Sequence, residues 1–161
     1  MKKITYCFCA CFLIIAFLSC SEKDTINNEK LVGVWFEEEY LEDSVEISRL
    51  EYNFMDCNIV EILRIELENN SRNVLGYRWR TLANYKLVGD QLSFYNMISY
   101  SNDDTKEPYT EFENLQLLNG SEGGSYSVTC NFGENDKKII FIYPPCGELA
   151  NCISSETFIK K

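Results

Sequence analysis

YRWRTLANYKLVGDQLSFY, residues 77–95, alternates side chains with period two on either side of a short break. Tyr77, Trp79, Thr81, Ala83, Tyr85 and Leu87 fall on one face, and Arg78, Arg80, Asn84 and Lys86 on the other. Successive side chains of a strand point to opposite faces, so this pattern predicts a half-buried β-strand. Val88-Gly89-Asp90-Gln91 supplies the chemistry of a tight hairpin turn. Leu92 and Phe94 then resume the alternation, and Ile98 and Tyr100 continue it after an interruption at Asn96.

The same grammar extends in both directions. Leu50, Tyr52 and Phe54 alternate with Glu51 and Asn53; Leu63, Ile65 and Leu67 alternate with Arg64, Glu66 and Glu68. Tyr126, Val128, Cys130 and Phe132 alternate with Ser127, Thr129 and Asn131, and KKIIFIYP is apolar on both faces, as a central strand is. Met55–Asn58, Asn69–Ser71, Asn119–Gly124 and Gly133–Asp136 carry turn residues, and Ser101–Pro108 is a longer polar loop. EEEYLEDSVEIS, residues 37–48, fits either a bulged strand or a helix-like turn. Eight or nine short strands and no internal repeat predict an all-β, antiparallel sandwich or barrel.

The N-terminus has a different character. Met1-Lys2-Lys3 is basic, and Ile4–Ser19 carries no charge. That apolar run is shorter than the roughly 17–25 residues of a membrane-spanning helix and has the form of a secretory signal. Phe17-Leu18-Ser19-Cys20 resembles the lipobox of bacterial lipoproteins, matching it at Ser19 and Cys20. The resemblance implies cleavage before Cys20, acyl chains such as palmitate on that cysteine, and a lipid anchor. SEKDTINNEK then reads as a flexible tether over residues 20–30. Its first acidic residues look like the export signals of some Gram-negative lipoproteins, which implies an outer-membrane location, on the periplasmic or cell-surface face.

Leu31-Val32-Gly33-Val34-Trp35, followed by LEYNFMDCN and NYKLVGDQLSFYN, resembles the lipocalin-like lipoproteins of bacteria. The likeness covers residues 31–96, and a META-type lipoprotein domain shares the Gly-x-Trp opening. It implies an antiparallel up-and-down barrel of about eight strands over residues 31–161. A first-strand Trp35 would pack across one end of such a barrel, with Gly33 allowing close backbone approach. An eight-stranded barrel either fills with side chains or holds one small ligand. Trp35, Tyr77, Trp79, Tyr85 and Phe94 are the candidate lining of an apolar ligand site. The alternative is a filled core whose surface engages another envelope protein.

Composition excludes several functions. Acidic residues number 25 against 15 basic, for a net charge of −10. Residues 20–68 hold 14 acidic and 4 basic residues. Such a chain is repelled by phosphate backbones, which argues against nucleic-acid binding. The absence of histidine removes the Ser-His-Asp and Cys-His arrangements and most zinc sites. No phosphate-binding glycine loop is present. The Glu37–Glu39 run lacks EF-hand spacing and reads as a solvated face. A non-enzymatic protein without a cofactor or a metal is expected.

Of eight cysteines, Cys7, Cys9 and Cys11 lie in the signal and Cys20 is the lipid site. The remaining four allow three pairings in an oxidising compartment. Cys146 and Cys152 close a short turn-rich loop, which leaves Cys57 with Cys130. Asp24-Thr25-Ile26 and Asp43-Ser44-Val45 look like a bacterial O-glycosylation motif. Thr25, in the tether, is the better placed.

Overall fold

A computed structural model describes residues 28–40, 45–102, 107–145 and 153–161. The expected sites Cys20, Thr25, Ser44, Cys146 and Cys152 lie outside the described residues. A single helical turn, α1 (Asn28–Leu31), occupies the end of the stretch expected to be tether. Nine strands follow: β1 (Gly33–Tyr40), β2 (Glu46–Phe54), β3 (Ile59–Glu68), β4 (Val74–Val88), β5 (Gln91–Ser101), β6 (Gln116–Leu117), β7 (Gly124–Phe132), β8 (Lys138–Ile142) and β9 (Ser155–Lys160). All ladders are antiparallel, and β9 returns to pair with β1. Eight strands thus close into an up-and-down barrel, and β6 only extends the sheet beside the far end of β5. Closure pairs the sheet's two edges, though only in part between β1 and β9.

The hairpin of the opening stretch forms as expected. Gly89 sits at φ +63° between Val88 and Gln91, a conformation glycine adopts without a Cβ penalty. Gly33 has φ +121°, and a Cβ there would lie 3.0 Å from the Lys160 side chain. That close approach lets the end of β9 pack beside the start of β1.

The first half of the lumen is filled. Trp35, Phe54, Tyr85, Phe94, Phe141 and Phe158 are each no more than 1% exposed. Their rings touch in edge and stacked arrangements: Phe54–Tyr85 at 4.9 Å, Phe94–Tyr126 at 4.6 Å and Phe141–Phe158 at 4.9 Å between centroids. Burying each such side chain contributes about 1.5–3 kcal/mol, and a ring pair about 0.5–1.5 more. α1 closes this end. The Trp35 indole N–H donates to the Leu31 carbonyl at 2.6 Å, and Asn28 accepts from the Leu87 amide at 3.3 Å. The Lys160 ammonium lies 5.1 Å from the centre of the Trp35 ring.

A second apolar cluster lies on the outer face of the sheet. Ile47, Leu63, Ile65 and Leu67 are buried there and pack against Tyr77 and Phe112. Phe112 belongs to a 3-10 turn (Phe112–Asn114) in the segment that leads into β6. The Arg80 guanidinium rests 4.7 Å from the centre of the Phe112 ring while pairing with Glu61 at 2.7 Å. Burial of an outer sheet face explains why β3 alternates so regularly and still turns its apolar set away from the lumen.

Register shifts on β4 and β5 redirect side chains. On β4, Trp79 lies opposite Arg64, but Tyr77 lies opposite Ile65, so Arg78 is an extra residue. This β-bulge puts Tyr77 on the outer face, not on the face of Trp79, Thr81 and Tyr85 as expected. Tyr77 instead meets Phe112 edge-on at 5.2 Å. On β5 the shift falls at Asn96, whose φ is +53°. Phe94 faces the lumen, whereas Ile98, paired with Leu82, faces out. Asparagine tolerates the left-handed conformation that such a shift requires.

Candidate functional site

The end of the lumen away from α1, open where β1 and β9 part, differs from the closed end. Facing positions follow from the registers: Trp35↔Tyr52 and Tyr52↔Ile62 mark the lumen face. Two residues further along each strand, the same face carries Glu37, Leu50 and Arg64, and beyond them Glu39, Ser48 and Glu66. Charged groups thus form a belt above the aromatic plug. The Arg64 guanidinium pairs with Glu39 at 2.8 Å. Glu66 is wholly buried. One of its oxygens accepts from the Ser48 hydroxyl at 2.8 Å and from the Arg78 guanidinium at 2.6 Å. The other oxygen has no partner.

A gap in the wall lies beside this belt. β1 and β9 pair only at Trp35↔Lys160 and Phe36↔Ile159, with one further bond from the Lys161 amide to the Val34 carbonyl. Beyond Phe36 the ladder stops, and the Glu37 carboxylate takes a hydrogen bond from the Thr157 backbone. A recess of about 390 Å3 opens along this seam, lined by Glu37, Glu38, Glu39, Arg64, Ser155 and Glu156 with Ile153. Partial burial pushes the Glu37 carboxyl above its usual range, and the Glu156 charge adds to that; Arg64 opposes it.

Glu38 behaves oppositely, although it is the next residue. Burial works against its charge, but hydrogen bonds from Arg49 and Arg72 outweigh that and hold its carboxyl below the usual range. Those bonds measure 2.6 and 2.8 Å on the outer face. The Glu37–Glu39 run is therefore not one solvated face. Glu37 and Glu39 point to the lumen side and Glu38 to the outside. Period-two alternation from Trp35 carries this information, because residues 35, 37 and 39 share a face.

Three phenols join the belt to the plug. Tyr52 and Tyr126 hydroxyls are 3.4 Å apart, and Tyr143 donates to Glu156. Burial, and then neighbouring phenols and Glu156, push Tyr52 well above the normal phenol range. Burial pushes Tyr126 up to about 12 and also raises Tyr143. All three hydroxyls therefore stay protonated at neutral pH, and Tyr143 is a neutral donor to Glu156.

The expected apolar site is not assembled as a cavity lining. Trp35, Tyr85 and Phe94 lie inside the packed plug and present no surface. Trp79 is partly buried at its margin, and Tyr77 is outside the barrel. The expected Cys57–Cys130 disulfide is also not formed: both thiols are free. Cys57 is exposed in the β2–β3 turn, whereas Cys130 faces the lumen from β7 opposite Phe141. Burial, with Asp90 nearby, raises the Cys130 thiol to about 12, which keeps it protonated and unreactive.

Among the described residues, no group of three or more His, Cys, Asp or Glu side chains is arranged to hold a metal ion. A closed all-β barrel with a filled core and an acidic recess in its seam is the class of structure defined. Comparison of the chain with protein-family models, with curated proteins and with solved structures finds no match in any of the three.

Proposed function

We propose that this chain is a non-enzymatic binding module of the cell envelope, held on the outer membrane by acyl chains on Cys20. Its open barrel end serves as the recognition surface. The observation that carries this reading is the packed lumen: Phe54, Phe94, Phe141 and Phe158 are buried in ring contact, where an apolar ligand would have to displace them. The filled-core alternative is thereby favoured over a lipocalin-like carrier of an apolar molecule. The lipobox-like residues 17–20 and the Leu31–Trp35 opening support the anchor and the envelope location. The groups gathered at the open end, Glu37, Glu39 and Arg64, are charged hydrogen-bonding groups suited to recognition.

Two measurements on protein extracted from membranes test this. An intact mass showing acyl chains on a chain that starts at Cys20 is expected, and an unmodified N-terminal fragment overturns the anchor. Titration with 1-anilinonaphthalene-8-sulfonate is expected to give no saturable one-to-one uptake. Stoichiometric uptake that quenches Trp35 overturns the filled core.

A further inference from the structure

The two kinds of basic side chain are sorted along the barrel axis. Arg49, Arg64, Arg72, Arg78 and Arg80 lie beyond the level of Trp35, toward the open end, and each is paired with a glutamate. The lysines among the described residues, Lys30, Lys86, Lys137, Lys138, Lys160 and Lys161, all sit at the end closed by α1. Lys30 pairs there with Asp136 at 3.5 Å, and Lys160 reaches the Lys30 carbonyl and the Trp35 ring. Lys86, Lys137, Lys138 and Lys161 are exposed, and no carboxylate among the described residues pairs with them.

Lys30, Lys137, Lys138, Lys160 and Lys161 form one group. The Lys160 amide donates to the Lys137 carbonyl, and Lys138 lies opposite Ile159 in the β8–β9 ladder. Glu29, Glu134 and Asp136 are the acidic residues of the same neighbourhood, so the group keeps a net positive charge in a chain that is otherwise strongly acidic. Ile159, beside Lys160 in the sequence, is an exposed apolar side chain in this group.

The chain enters at the same end. The Asn28 side chain is fixed there by Asn58 at 2.6 Å and by the Leu87 amide at 3.3 Å. The eight residues from Cys20 to Asn28 reach at most about 26–29 Å. Acyl chains on Cys20 therefore keep the lysine group close to the bilayer. Charges are screened over about 8 Å at physiological ionic strength. Glu46 and Glu68 lie about 20 Å along the strands from the Trp35–Tyr52 level, too far to cancel the attraction of the lysines for lipid phosphate.

We propose that the lysine group at the α1 end docks the barrel on an anionic lipid surface, with Ile159 against the headgroups and the open end turned away from the membrane. This rests on the Cys20 anchor and supplies the pose in which the open end meets a partner. Lysines held at an anionic leaflet are attracted in proportion to their number, and salt weakens the attraction.

The test is a lysine footprint of the acylated protein in vesicles, using a neutral acetylating reagent read by mass spectrometry. Vesicles of phosphatidylcholine alone are compared with equal parts phosphatidylcholine and phosphatidylglycerol. Acetylation of Lys137, Lys138 and Lys161 is expected to slow at least threefold on the anionic vesicles. The difference should vanish in about 1 M salt, where the Debye length is about 3 Å. In the double variant Lys137→Gln with Lys138→Gln, both exposed positions, Lys161 should lose its protection. Equal rates on the two vesicles, protection that survives the salt, or protection of Lys161 unchanged in the double variant each overturns the proposal. If Cys20 carries acyl chains and the footprint is flat, the anchor stands and only the docked pose is wrong. If the intact mass shows no acyl chains, the underlying reading fails instead.

Discussion

The two halves of one lumen are built from the same strands and solve opposite problems. At the closed end, β1, β2 and β3 turn Trp35, Tyr52 and Ile62 inward, and these side chains interlock beneath α1. At the open end the same strands, on the same face, turn in Glu37, Arg64 and Glu66. The first half lowers the free energy of the fold by removing apolar surface from water. The second half carries desolvated charge that only partly finds partners. Stability and recognition are therefore separated along the barrel axis, with the Tyr52–Tyr126 pair and the Tyr143–Glu156 bond at the boundary. Functional sites commonly sit where a fold departs from its own packing rules.

The contrast is broken most severely from the closed end. Phe141→Ala removes a ring that meets Tyr52 at 5.3 Å and Phe158 at 4.9 Å. A loss of about 3–5 kcal/mol is expected in urea unfolding. If the mutant still folds, a dry apolar cavity should now take up the apolar probe that the native barrel excludes. Leu67→Ala, on the outer face, is expected to cost less, about 2–3 kcal/mol, because the cover of that cluster, Tyr77 and Phe112, is itself only partly buried. A cost equal to that of the Phe141 change would mean that the outer cluster is a core in its own right.

Glu37→Gln probes the open end and should move stability least and in the other direction. The folded carboxyl titrates above its unfolded value, so its stabilising contribution is complete below about pH 4 and is lost as pH rises through the raised folded pKa. At neutral pH the native charge is a small burden, and its removal is expected to add about half a kcal/mol or less after solvent screening. The gain should vanish in acid, and thermal melts at pH 7 and pH 4 measure it. A loss of stability at pH 7 would show that Glu37 is structurally required.

Much of this organisation was legible in the chain. The Tyr77–Tyr95 alternation and the Gly89-Asp90 turn defined the β4–β5 hairpin, and Asn96 marked the break in β5. The acidic run Glu37–Glu39 was expected to be a solvated face, although the alternation that starts at Trp35 places Glu37 and Glu39 on its side of the sheet. Other features left no local trace. The extra residue of the β4 bulge, Arg78, is neither glycine nor proline and does not announce the shift. Leu63, Ile65 and Leu67 declare a shared face but not which side of the sheet it occupies, because the cover supplied by Phe112 comes from over forty residues later. Parity in a strand is relative, and one shifted residue inverts every side chain beyond it.

Local chemistry by itself thus determined an antiparallel all-β sandwich or barrel, and the tertiary structure decided that the sheet closes. Strand periodicity and turn residues act over two to four positions, and each segment carries its own. Only the tertiary structure decided that the plug fills half the lumen, that Glu66 is buried with an unpartnered oxygen, and that the seam between β1 and β9 stays open. Those outcomes depend on how registers accumulate around a closed sheet and on which distant segment covers which face, and no single stretch of sequence contains either.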